Sequence, residues 1–150
     1  MRYLKYFFIV PLMCLTVNCS NAQSRPAGEE GEVLVLDRAD FLSKIYNYEK
    51  NSEEWVYEGS KPCIVDFYAD WCGPCKLVAP IMKELAAEYK DDVVFYKINV
   101  DNEQELAAVF GISSIPTILF VPVKGKPQAA LGALPRETLV DQIQNFLLKE

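Results

Sequence analysis

Apolar residues along this chain fall into two kinds of pattern, short unbroken runs and helical stripes, and the two alternate. Residues 63–69 (Cys-Ile-Val-Asp-Phe-Tyr-Ala) form a near-continuous apolar run with one carboxylate inside it, the pattern of a central strand buried on both faces. Residues 93–100 repeat it, and residues 33–36, 117–121 and 128–131 are shorter strand candidates. Between these runs the period changes. Phe41, Leu42, Ile45 and Tyr48 share one face of a helix that Asp37 or Asp40 could cap. Val78, Ile81, Met82, Leu85 and Tyr89 stand at i, i+3, i+4, i+7 and i+11, one apolar stripe of a longer helix. Pro80 lies inside it and should bend it, because proline removes a backbone donor. Residues 102–110 read as a short helix ended by Gly111. A turn at Lys124, Gly125 and Lys126 joins the last two strands. The final helix spans 135–148, opens with Pro135 in its first turn, and buries Leu139, Val140, Ile143, Phe146 and Leu147. The predicted order is β-α-β-α-β-α-β-β-α. That is an α/β domain with a central mixed β-sheet flanked by helices, parallel where helices intervene and antiparallel at the last turn.

The chain before residue 33 does not belong to this pattern. Arg2 and Lys5 precede an apolar run over residues 7–17, too short to cross a bilayer, which takes about 20 residues. Ser20, Asn21 and Ala22 follow, small at the two positions a signal peptidase reads, so residues 1–22 are expected to be a signal peptide cleaved after Ala22. Residues 23–32 are polar, with Pro26, Gly28 and Gly31, and read as a flexible tether. The domain is then 33–150. Two other fates for the leader stay open: an uncleaved membrane anchor, or lipidation of Cys19. In each case the protein is exported, and the short leader and single compact domain suit a bacterial periplasm. Between residues 49 and 62 the periodicity fails, and Trp55 and Tyr57 are expected to pin that loop to the core.

Composition narrows the chemistry. Hydrophobic residues make up 51% of the 150 and charged residues 24%, enough for one core without staples. A net charge of −6, falling to −8 once residues 1–22 are removed, argues against nucleic acid as a partner. The chain has no histidine, which excludes Ser-His-Asp and Cys-His hydrolases and leaves any zinc site to rest on cysteine and carboxylate alone. No metal and no cofactor is expected. After loss of the leader three cysteines remain, Cys63, Cys72 and Cys75. That number suits one working pair and one spare better than a disulfide framework.

The pair sits in Trp71-Cys72-Gly73-Pro74-Cys75-Lys76, where a buried strand turns into a helix. Two cysteines three apart at a helix start can close a small disulfide ring. The free N–H groups and positive end of the helix should stabilise the first thiolate, lowering its pKa below about 8.5 and making Cys72 the attacking sulfur. Pro74 pre-sets a helical φ, and Gly73 allows a partner chain to approach closely. Asp66 lies mid-strand in apolar surroundings, where desolvation should raise its pKa. From the residues alone it is either a proton acceptor or a buried partner of Lys97.

These residues resemble the thioredoxin family, whose active-site motif is Trp-Cys-Gly-Pro-Cys-Lys. Residues 65–70 before the motif, 97–101 (Lys-Ile-Asn-Val-Asp), 111–117 (Gly-Ile-Ser-Ser-Ile-Pro-Thr) and 131–134 (Leu-Gly-Ala-Leu) extend the likeness in order, from residue 33 to residue 148. The resemblance implies a thioredoxin fold. It also implies that Cys72 is an exposed nucleophile forming a mixed disulfide with substrate, and that Cys75 resolves it. Asp66 would accept the proton of Cys75, with Lys97 tuning it. Pro116 would follow a cis bond and rest against the cysteines, leaving the Ile115 backbone free to pair with an extended substrate. Trp71, Ile112, Gly132 and Ala133 would form an apolar rim, with ordinary packing the alternative for each. Three departures stand out: Tyr68 replaces the family's usual tryptophan, the 49–62 loop is long, and Cys63 lies on a buried strand, expected inert.

The function expected is that of a monomeric protein thiol-disulfide oxidoreductase acting on disulfides or thiols of substrate proteins. It would maintain envelope redox balance and be recharged by a membrane or envelope redox partner. A net oxidant is the alternative within the same chemistry, because direction also depends on the poise of the compartment. A non-catalytic binding module would be expected to have lost a cysteine or the proline, and both are present.

Overall fold

The computed structural model describes residues 31–149. Five strands and four helices follow in the expected order: β1 (Val33–Val35), α1 (Arg38–Lys44), β2 (Cys63–Tyr68), α2 (Cys75–Glu88), β3 (Val94–Asn99), α3 (Gln104–Val109), β4 (Thr117–Val121), β5 (Gln128–Leu131) and α4 (Arg136–Gln142). The sheet order is β1-β3-β2-β4-β5. β3 runs parallel to both β1 and β2, whereas β4 is antiparallel to β2 and to β5. The reversal is made by α3 and the loop after it, so the mixed character begins one strand earlier than the Gly125 turn suggests.

Alternation along β2 feeds two cores. Cys63, Val65 and Phe67 point into one with Leu36, Phe41, Ile45 and Leu106, beneath α1 and α3. Ile64 points into the other with Val78, Met82 and Leu85 of α2 and Leu139 and Ile143 at α4. Both faces being covered explains why β2 is apolar throughout.

Three expectations shift in detail. α1 ends at Lys44 rather than near residue 48, because Tyr46 leaves the helix to form an isolated bridge with Tyr57. Trp55 lies on Tyr46 with ring centroids 4.4 Å apart, so aromatic packing pins the loop as anticipated. Arg38 clamps the same loop, bonding the Tyr48 hydroxyl at 3.0 Å and pairing with Glu49 and Glu105. Pro135 is the N-cap of α4 and stands just outside its first turn. The helix then widens into a π-helical segment over Ile143–Leu147, with the Leu148 amide bonding the Ile143 carbonyl. Gly31, assigned from sequence to the tether, lies against Ala87 of α2 and Lys90 just after it, with φ +86°. The expected signal peptide and most of the expected tether lie outside the described residues.

Candidate active site

β2 ends at Tyr68, a tight turn carries the chain through Trp71, Gly73 and Pro74, and α2 starts at Cys75. Pro74 is its N-cap residue with φ −60° and ψ −32°, already helical, as proline's ring favours. Cys72 and Cys75 form a disulfide, with Cα atoms 5.4 Å apart. The Cys75 backbone N–H, one of the donors a helix start leaves free, donates to Cys72 Sγ at 3.2 Å. Exposure does not separate the two sulfurs. Cys72 is 3% exposed and Cys75 4%, so in this oxidised state the picture of an exposed Cys72 beside a deeper Cys75 does not hold. Their neighbours separate them: Cys72 receives the helix amide, while Cys75 lines a cleft that reaches Asp66.

That cleft has a volume of about 640 Å³ and runs between α2 and the edge formed by β3 and β1. Asp66 is 5% exposed, and its Oδ1 has no hydrogen-bond partner. Burial pushes its carboxyl up to about 6, against the pull of the Lys97 charge. Lys97 stands opposite Asp66 in the parallel register of β2 and β3, and its charge favours the Asp66 carboxylate, while Cys75 lines the same cleft. Glu32 also lines this cleft.

The Ile115–Pro116 bond is cis, and Ile115 packs against the cluster of Ala69, Cys72 and Cys75. The Pro116 carbonyl accepts a bond from the Gly132 amide at 2.8 Å, which joins the loop before β4 to the turn after β5. Gly132 has φ +86°, a conformation that glycine takes without strain. Gly73 has open space where a Cβ would stand, and Ala133 is exposed beside Gly132. Trp71 is 70% exposed, with its indole N–H bonded to Asp101 Oδ2 at 2.8 Å. Ile112 is the weakest of the expected rim residues, since its side chain packs on the α1/α3 core and not in the cluster that holds Cys72 and Cys75.

The profile of the thioredoxin family matches residues 43–145. A thioredoxin of Borreliella burgdorferi (strain ATCC 35210 / DSM 4680 / CIP 102532 / B31) is 43% identical over 111 residues, 74% of this chain and 94% of the relative. This chain belongs to the thioredoxin family. An M-type chloroplastic thioredoxin of Spinacia oleracea is 36% identical over 132 residues, 87% of this chain and 73% of its own. The crystal structure of chloroplastic thioredoxin z superposes with a TM-score of 0.64 at 27% identity, covering 76% of this chain and 93% of that one. The protein is thus a thioredoxin-fold protein disulfide oxidoreductase that acts on disulfides of substrate proteins.

Within this thioredoxin, sequence reasoning missed a polar string beside the redox turn. Asn99 donates to Asp70 Oδ2 at 3.3 Å and accepts from the Asp101 amide at 2.9 Å, and Asp101 holds Trp71. Its trace in the sequence was polar residues at a strand end, a place where they are common. Cys63 fits the inert reading: it is fully buried, and desolvation pushes its thiol up to about 12, only partly offset by the Tyr57 hydroxyl.

Proposed function

We propose that this thioredoxin reduces or exchanges disulfides of exported proteins through Cys72 and Cys75 and so maintains envelope redox balance. Reduced Cys72, as thiolate, attacks one sulfur of a substrate disulfide. A Cys72–substrate bond forms, and the other substrate sulfur leaves as a thiolate. Cys75 then gives its proton to Asp66, attacks Cys72 Sγ and displaces the bound substrate sulfur. Two electrons have passed to the substrate, and the Cys72–Cys75 disulfide remains. A two-electron donor in the membrane or envelope restores the dithiol. Substrate backbone pairs beside Ile115 and Pro116, while Trp71, Gly73, Pro74, Gly132 and Ala133 supply the rim. In this reading the protein works as a monomer in a bacterial periplasm; the basic start and short apolar run of residues 1–22 support the export.

The observation that carries this reading is the Cys75 amide directed at Cys72 Sγ from the head of α2. Such a donor favours the thiolate over the thiol. The test is equilibration of the Cys72–Cys75 couple with glutathione, with insulin reduction measured alongside. Reversible oxidation and insulin turnover lost in Cys72→Ser are expected. Full turnover in that variant, or a Cys72 thiol as weakly acidic as free cysteine, would reject the assignment. Fractionation of cells making the full chain tests export.

A further inference from the structure

Ile64 packs into the core beneath α2, and Asp66 and Tyr68 follow it at every second position of β2. Tyr68 is therefore the next side chain after Asp66 on that face, toward the redox turn, and both line the same cleft. Three contacts converge on it. Its ring packs against the cluster of Ala69, Cys72 and Cys75. The Lys97 ammonium lies 5.5 Å from the centre of that ring. The Asn99 side chain, which donates to Asp70 Oδ2 at 3.3 Å, faces the Tyr68 hydroxyl and favours its ionised form.

Lysine is a flexible, strongly hydrated cation, and left alone it extends into water. The negative face of an aromatic ring holds it back. Glu32 ahead of β1, Asp70 beyond β2, and Lys76, Lys83 and Cys75 on α2 also face the cleft, and β4 brings only Ile118 opposite Asp66. Lys97 is the group whose charge favours the Asp66 carboxylate. Burial is the larger influence on Asp66, and where that ammonium rests adjusts how readily the carboxylate takes a proton.

We propose that Tyr68 is a positioning residue for the resolving step: its ring holds the Lys97 ammonium beside Asp66 and so sets the pH range in which Asp66 accepts the Cys75 proton. The inference rests on the proton-acceptor role assigned to Asp66 above. It gives the tyrosine that replaces the family's usual tryptophan a task beyond filling space.

The experiment follows release of thionitrobenzoate from a mixed disulfide preformed on Cys72, against pH. Tyr68→Leu, which keeps an apolar cover without the ring, should move the acid limb up by about half a pH unit. Tyr68→Phe and Tyr68→Trp, which keep a ring, should leave it in place. Lys97→Met should move it at least as far as Tyr68→Leu, and adding Tyr68→Leu to Lys97→Met should move it no further. In the unsubstituted protein the Lys97 Cε protons should be shifted upfield by the ring, a readout independent of how well any variant folds. An unmoved or lowered limb in Tyr68→Leu, additive shifts in the double variant, or ordinary Lys97 chemical shifts would overturn the proposal. Asp66→Asn separates the two ideas. It should abolish the limb; if the limb survives, the role of Asp66 falls and this inference with it. If the limb vanishes there and stays put in Tyr68→Leu, the inference alone is wrong.

Discussion

Cys63 and Cys72 stand at the two ends of the path that β2 takes through the molecule, and both are almost wholly buried. Depth alone would make them equivalent. Cys63 is surrounded by the apolar α1/α3 core, with the Tyr57 hydroxyl as its one polar neighbour of note, and its thiol is pushed up to about 12. Cys72 instead meets a helix start whose amide points at the sulfur, and a cluster open to the cis-proline loop. The difference teaches that burial by itself holds a thiol protonated, as at Cys63, and that a sulfur as deep as Cys72 needs the helix amide facing it to become reactive.

The largest effect that can break this comparison is removal of the resolving thiol. Cys75→Ser should lower turnover by about three orders of magnitude or more, the scale on which loss of a reacting group is felt. It should also leave substrates joined to Cys72, visible as adducts on non-reducing gels. Adducts on Cys63 instead would reverse the assignment of the two environments. Next comes Asp66. Its carboxyl sits at about 6 when folded, against 3.8 ordinarily, so between those values the folded chain keeps a proton that the unfolded chain has released. Stability from this group is therefore greatest in acid and declines as pH rises, by about 3 kcal/mol in all once above 6. Between pH 4 and pH 7 the parent should lose about 2 kcal/mol more in urea melts than Asp66→Asn, part of the whole effect being already spent at pH 4. Equal losses would show that burial does not raise Asp66.

A smaller effect is expected at Asp101. Asp101→Ala frees the Trp71 indole, and kcat/KM for a protein disulfide should fall by about threefold to tenfold, with stability changed by less than about 0.5 kcal/mol. A loss of stability without loss of activity would make the string structural only. The smallest change is Cys63→Ala. Insulin turnover should stay within about twofold, while stability drops by about 1 kcal/mol for the lost packing. Iodoacetamide given to the reduced native protein should modify Cys72 and spare Cys63 until denaturant is added.

Much of this was legible beforehand because the relevant signals are local. A run such as residues 63–69 has to be a strand covered on both faces, and two cysteines across a strand-to-helix turn have few uses. Asp66 was recognisable because a carboxylate in an apolar run is costly. What was hidden depends on partners far away in sequence. The end of α1 is decided by the Tyr46–Tyr57 bridge, and the direction of β4 by its neighbours β2 and β5. The position of Ile112 on the α1/α3 core and the hold of Tyr68 on Lys97 are likewise tertiary facts. No spacing within a single segment encodes them.

The parallel register of β1 and β3 has one more implication. Val33 lies beside Phe95, at the end of the sheet where Cys63 begins β2, and the redox turn follows the other end of that strand. The described chain therefore enters the sheet at the end opposite the redox turn. Held at Gly31, the domain would keep its redox turn at the opposite end of the sheet from the point of attachment.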